Sequence, residues 1–191
     1  MNKNFITDKI FKGQDFNTKA FEPADFENCQ FVQCNFASLD LAGCIFTDCV
    51  FNQCDFSNAA ITQTAFQNVR FESCKLIGLQ FDTCNPFLLS FQFNQCILNY
   101  ASFYQLKIPG TLFSDCIIEE ADFSNAILNS ATFDNCNLNG SRFENTQLEK
   151  ADFYSSTHLI INPEKNQIRG ARFSIDNISG LLTKYDIVID R

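Results

Sequence analysis

Residues 44–56 read Cys44-Ile45-Phe46-Thr47-Asp48-Cys49-Val50-Phe51-Asn52-Gln53-Cys54-Asp55-Phe56, with a cysteine at every fifth residue and a phenylalanine two places after each. The beat extends both ways. Counting in fives from Phe11 meets Phe16, Phe21, Phe26, Phe31, Phe36, Leu41, Phe46, Phe51, Phe56, Ile61, Phe66, Phe71, Leu76 and Phe81. A second series starts at Phe93 and runs through Leu98, Phe103, Ile108 and Phe113 to Phe153, and fifteen plus thirteen members make twenty-eight pentads. An amphipathic helix repeats near 3.6 residues and a flat strand at 2, so a sustained five fits neither. Self-similarity at a fixed short period marks a solenoid.

The residue two before each large one is also restricted: Ala24, Cys29, Cys34, Leu39, Cys44 and Cys49 early, Cys116, Ala121, Ala126, Ala131 and Cys136 later. Two residues apart in an extended segment means one face, so each pentad points a bulky and a mostly small side chain inward. The other three positions are rich in Asn, Asp, Gln, Ser, Glu and Thr, as turning, solvated backbone requires. Nineteen of the 23 Phe are central residues and read as core, not as a base-stacking surface.

Runs such as Ala24-Asp25-Phe26-Glu27-Asn28 and Ala121-Asp122-Phe123-Ser124-Asn125 resemble the pentapeptide-repeat family over roughly residues 11 to 153. The resemblance implies an all-β solenoid: a right-handed, quadrilateral parallel β-helix with about twenty residues per coil. Twenty-eight pentads would then make about seven coils, a rod roughly 34 Å long at the β-strand spacing of about 4.8 Å. The expected division is a β-helix over 1–155 and a cap or dimerisation segment over 156–191.

All ten cysteines (Cys29, Cys34, Cys44, Cys49, Cys54, Cys74, Cys84, Cys96, Cys116, Cys136) fall on the small inward position. Their spacing is the pentad itself, and the lone His158 lies outside the array. Free cysteine packs like a small hydrophobe, so they read as buried thiols and not as disulfides or metal ligands. No cofactor or metal is expected. No Walker A run, G-x-S-x-G or G-x-G-x-x-G is present, and a single His leaves no catalytic constellation, so the expectation is a non-enzyme. The first thirteen residues lack an apolar signal core and no long apolar run occurs, so the default is a cytoplasmic protein without membrane association.

The pattern breaks between Phe81 and Phe93, twelve residues that hold two pentads and two extra positions. Asn85, Pro86 and Phe87 suggest a bulge or short loop at a corner, with Pro86 on a central position. After residue 155 the beat fails at His158 and Pro163 and returns once at Phe173. Asp176 is placed to N-cap a short α-helix through Lys184, with Ile178, Leu181 and Leu182 on one face. Tyr185-Asp186-Ile187-Val188-Ile189 then alternates like an edge strand. The tail is similar to that of the Qnr-type and microcin-immunity branch through Ile161-Asn162-Pro163-Glu164 and Ser179-Gly180-Leu181-Leu182. That similarity implies homodimerisation through the C-terminal segment, with Ile178, Leu181, Leu182 and Ile187 in the cap or contact.

Residues 20–155 hold 16 Asp/Glu against 5 Lys/Arg, a net of −11 in a chain of formal charge −8. Assigned to four sides, Asp25, Glu27 and Asp48 share one, and Glu22, Asp40 and Asp82 its neighbour. Asp115, Glu119, Glu120, Asp134 and Asp152 fall on the other two. Such stripes attract basic surfaces and repel nucleic acid, so direct nucleic-acid binding is not expected. The Qnr-like resemblance implies a DNA mimic that docks on DNA gyrase or topoisomerase IV, type II topoisomerases, and gives quinolone or toxin resistance. Duplex DNA carries roughly 20 charges over such a length, so the charge density here is about half. Relatives with projecting loops use them against the enzyme; this chain has at most the short bulge after Asn85. The other class left open is a non-enzymatic interaction scaffold with another basic partner.

Overall fold

In the computed structural model, which describes residues 4–18 and 21–188, the five-residue beat becomes a winding path of short segments and corners. The strands, in chain order, are β1 (Asn4–Thr7), β2 (Ile10–Lys12), β3 (Ala24–Glu27), β4 (Gln30–Val32), β5 (Ile45–Thr47), β6 (Val50–Asn52), β7 (Ala65–Gln67), β8 (Val69–Glu72), β9 (Phe91–Asn94), β10 (Leu112–Ser114) and β11 (Thr132–Asp134). They pair parallel in two sheets, one of order β1-β3-β5-β7 and one of order β2-β4-β6-β8-β9-β10-β11. Each residue lies over the one twenty places on, as Phe31 over Phe51, with the interval widening at the break, where Phe71 pairs with Phe93. The result is a parallel β-solenoid of about six turns, which link the seven strands of the larger sheet. The expected seven coils are not reached, because the seven stacked strands of the larger sheet enclose six intervals. Beyond β11 successive coils meet only at isolated bridges such as Gln147↔Gln167 and Asp152↔Arg172.

The corners explain the polar positions. The residue two after the large one takes a positive φ, as at Asn28 (51°), Gln53 (53°), Asn68 (53°), Asp115 (53°) and Asn145 (53°). Left-handed backbone penalises bulky side chains and tolerates Asn, Asp and Gly, which selects the composition there. Inside, Phe rings stack coil on coil and meet edge-on across corners: Phe113 lies 4.7 Å from Phe133 at 3°, and Phe123 meets Phe133 at 90°. Both arrangements suit the ring quadrupole, and none of these rings is exposed.

The ten cysteines are free and buried. Eight of them sit directly after a strand, where the corner lacks the hydrogen bond that closes a tight turn. At seven of these the thiol donates to a carbonyl one coil back, as Cys54 to Phe31 and Cys74 to Phe51, both at 3.3 Å, whereas Cys116 donates within its own coil, to Ser114 (3.2 Å). Where a hydroxyl replaces it, as Thr146 to Phe123 (3.0 Å), the same carbonyl is satisfied. Cysteine thus marks the extended corners, filling volume and giving its thiol hydrogen a buried carbonyl acceptor.

At the break Pro86, due on a central position, stays exposed, having no N–H to offer the neighbouring coil. Register holds to Asn85, whose amide donates to the Thr64 carbonyl (3.0 Å), and resumes at Ser90, which donates to Phe66 (3.0 Å). Phe91 enters the core instead, 5.3 Å from Phe81 and 5.0 Å from Phe93, at the inward position that elsewhere carries smaller residues, Val69 in the paired strand.

The tail departs from expectation. In place of an α-helix over residues 176–184 there are two 3₁₀ turns, Ile178–Leu181 and Thr183–Tyr185. Asn177, not Asp176, precedes the first, and its side chain caps no helix. It donates instead to the Phe153 (2.6 Å) and Ser156 (3.1 Å) carbonyls and closes the last coil. Gly180 lies against the Leu159 carbonyl where any side chain would collide with backbone, and its own carbonyl accepts from the Ile161 amide (3.2 Å). A segment pinned backbone-to-backbone at its centre cannot present the continuous apolar face of a helix. The expected edge strand is also absent over 185–188, interrupted by left-handed Asp186 (φ 49°); Ile189 lies outside the described residues.

Candidate partner-binding surface

The exterior of the solenoid is a set of ladders. Residues twenty apart share a corner or edge, so a polar side chain meets its counterpart one coil away. Asn68 donates to Asp48 (2.5 Å), Asn135 to Asp115 (2.6 Å) and Gln33 to Gln53 (3.0 Å). Glu119 accepts from Asn137 (2.8 Å) on one oxygen and from Asn99 (3.1 Å) on the other, and Asp134 from the Ser155 hydroxyl (2.7 Å). These donors are neutral. They orient carboxylates without cancelling their charge, so a fixed array of anions stands on a rigid support.

Of the acidic positions singled out above, Glu22, Glu27, Asp40, Asp48, Asp82, Asp115, Glu120 and Asp134 are exposed, and Asp25, Glu119 and Asp152 are half-buried. Asp25 and Glu27 flank Phe26 on β3, with Asp48 at the corner after β5, the next strand of that sheet. Asp40 accepts from the Ala42 amide (2.9 Å) and Asp82 lies in the turn Phe81–Thr83. Asp152 is different. Arg172, one coil on and stacked 4.3 Å from the Tyr154 ring centroid, pairs with it at 3.0 Å and offsets its charge. Sequence sides alone did not show this pair, because Arg172 lies beyond the point where the beat falters.

The break presents Phe87 and Leu88 outward, 67% and 64% exposed, with Asn85 holding the turn through its side-chain acceptor to the Phe87 amide (2.9 Å). Leu88 has φ 55°, a costly backbone for a branched-chain residue. At the far end Leu181 packs on the core and Leu182 is half-buried, while Ile178 and Ile187 are exposed, as are Ile175 and Val188. Lys184 ion-pairs with Glu164, whose carboxylate also accepts from the Tyr185 hydroxyl (3.1 Å). This pair holds the Glu164 carboxyl below and the Lys184 ammonium above their ordinary values, chiefly by their mutual hydrogen bond.

Burial pushes the Cys49 thiol up to about 12 and raises Cys34, Cys74 and Cys84 as well. These are packing groups, not poised nucleophiles. Among the described residues no group of three or more His, Cys, Asp or Glu is arranged to hold a metal ion. Nor is any helix among them long and apolar enough to cross a membrane.

A family model for the pentapeptide repeat region matches residues 24–92 and 87–162. No curated protein matches in sequence. Among solved structures, a trypsin-treated variant of QnrB1, described as a plasmid-mediated fluoroquinolone resistance protein, is 19% identical with a TM-score of 0.61, covering 100% of this chain and 96% of its own. HetL, a pentapeptide repeat protein involved in heterocyst differentiation regulation in the cyanobacterium Nostoc sp. strain PCC 7120, is 14% identical with a TM-score of 0.48, over 91% of this chain and 89% of its own. At 19% identity the likeness to the QnrB1 variant is one of fold. With its repeat region matched over most of its length, the chain belongs to the pentapeptide-repeat family.

Proposed function

We propose that this protein is a non-enzymatic, cytoplasmic DNA mimic that binds a type II topoisomerase (DNA gyrase or topoisomerase IV) and protects it from quinolones or a toxin. The observation that carries this reading is the acidic exterior: 16 Asp/Glu against 5 Lys/Arg over residues 20–155, on a rigid solenoid. Asp48, Asp115, Glu119 and Asp134 are steadied by neutral donors and keep their charge for a basic groove. Similarity of fold to a fluoroquinolone resistance protein supports the choice of partner. Asp25, Glu27, Glu22, Asp40, Asp82 and Glu120 extend the surface, Asp152 contributes less because of Arg172, and the Asn85–Phe87 loop adds an apolar contact. The segment after residue 155 caps the solenoid and joins two copies tail to tail through Ile178 and Ile187.

A supercoiling assay with purified gyrase, with and without ciprofloxacin, tests the proposal. Protection or inhibition at micromolar protein, weakening steeply with salt, is the expected result. Neither effect at that concentration would sink it and leave a scaffold for another basic partner.

A further inference from the structure

We infer that Asn139-Gly140 is a site of spontaneous backbone-mediated deamidation, a modification that adds a carboxylate beside Glu119 and Glu120. It is the sole Asn-Gly pair in the chain, and both residues are exposed. The reaction requires the Gly140 nitrogen to attack Cγ of Asn139, and the structure leaves both groups unengaged. At the three preceding corners of this column the equivalent amide is tied to the next coil: Gly78 to the Asn99 carbonyl, Tyr100 to Glu119 and Glu120 to Asn139, each at 2.9 Å. Among the described residues Gly140 donates to no acceptor. The chain that should supply one is diverted, since Gly180 of the tail is pressed against the Leu159 carbonyl and Ile161 is bonded to Gly180. The tail therefore opens the lattice at this corner.

The side chain is equally free. Asn99 and Asn129, at the same place in their pentads, each accept from an amide one coil on, Glu119 (3.3 Å) and Glu149 (3.1 Å). The residue after Asn129, Ser130, also has its amide held by the Glu149 carbonyl (2.8 Å). No such bond restrains the Asn139 side chain, which borders the open groove between the tail and the last coils.

The chemistry balances without a co-reactant other than water. The Gly140 nitrogen gives up its proton and bonds to Asn139 Cγ; the side-chain nitrogen leaves as ammonia, and a succinimide forms. Water opens the ring at either carbonyl, giving aspartate or isoaspartate at this position. Either product places a new anion one coil beyond Glu119. That this strengthens partner binding rests on the reading proposed above; the modification itself does not.

The test is peptide mapping by mass spectrometry of the native full-length protein aged at mildly alkaline pH in oxygen-18 water, against the same protein in denaturant. Freeing both held groups at Asn129 costs about two hydrogen bonds, so folding should slow Asn129 roughly tenfold or more. Both sites share a held carbonyl, that of Asn139 accepting from Glu120 and that of Asn129 from Gly110, each at 2.9 Å. Folding should therefore slow Asn139 roughly tenfold less than Asn129, with solvent oxygen incorporated, and Asn139→Gln should abolish the signal. Protection of Asn139 by folding to the same degree as Asn129, or conversion at neither site in the native protein while both react in denaturant, would overturn the inference. Because the readout is mass, it is independent of whether any topoisomerase is bound.

Discussion

The ring of Phe51 lies 4.7 Å from that of Phe31, its counterpart one coil back, inclined by only 15°. Phe71 continues the stack at 5.2 Å, and Phe56 meets Phe51 edge-on at 4.9 Å. A solenoid coil has no core of its own, so these contacts between coils are the tertiary structure. Phe51→Ala should cost about 3–5 kcal/mol, read as a fall in the urea midpoint at constant slope. Phe173→Ala, at the half-buried end of its stack, should cost clearly less. Equal losses would mean that stacking along the rod does not distribute stability as described.

At the break, the exposed and buried phenylalanines should behave oppositely. Phe87→Ser is expected to change stability by no more than about 0.5 kcal/mol, whereas Phe91→Ala should cost about 3–5 kcal/mol. Chemical denaturation of the two variants decides it. A large loss from Phe87→Ser would place that ring in the core and refute the register described.

The buried Cys49 thiol predicts an alkaline weakness. Below the unfolded value of 9.0 both states keep the Cys49 proton and its contribution is intact. Above it the unfolded chain releases a proton that the folded one, with its value raised to about 12, retains. Stability must then fall as pH rises, by about 2 kcal/mol at roughly pH 10.5 from this thiol alone. Urea midpoints from neutral to alkaline pH should show the decline, and Cys49→Ala should make it shallower. An unchanged slope in the variant would remove Cys49 as a source.

The Glu164–Lys184 tether gives the tail its own pH window. The lowered Glu164 value means its contribution is present above the unfolded carboxylate range and lost as pH falls through the folded value. For Lys184, raised, the contribution is present below the unfolded ammonium range and lost as pH rises through the folded value. Hydrogen-exchange protection of residues 178–186, with rates referred to the intrinsic amide rate at each pH, should be highest between these limits and fall in acid before the solenoid unfolds. Glu164→Gln should bring the fast exchange to neutral pH. Uniform protection across the acid range would show that Gly180 and Asn177 hold the tail unaided.

Neutralising the acidic array tests the binding reading residue by residue. Asp48→Asn, Asp115→Asn and Asp134→Asn should each weaken partner binding and lessen its salt dependence, measured by titration at several ionic strengths. Asp152→Asn should do less, since Arg172 already offsets that charge. A larger effect at Asp152 than at the others would point to a contact built on the ion pair.

Much of the molecule was readable from the five-residue beat. Phe31, Phe51 and Phe71 announce a column, and each cysteine announces a small inward site, because both follow from period alone. By contrast, Phe91 replacing Pro86, Arg172 neutralising Asp152, and the pairing of coils past residue 155 all join residues by register across coils. A local motif holds no information about which coil lies above it once the beat slips.

The tail is the sharpest case. Ile178, Leu181 and Leu182 have helical spacing, and local propensity favours that reading; Gly180 against Leu159 decides otherwise. The amino-acid order by itself determined that the chain winds with apolar rings inside and carboxylates outside, because side-chain burial repeats with the backbone's own period. Only the tertiary structure decided which carboxylates keep their charge, how the break is absorbed and why Gly140 lacks a partner, because each depends on the neighbouring coil and not on the adjacent residue.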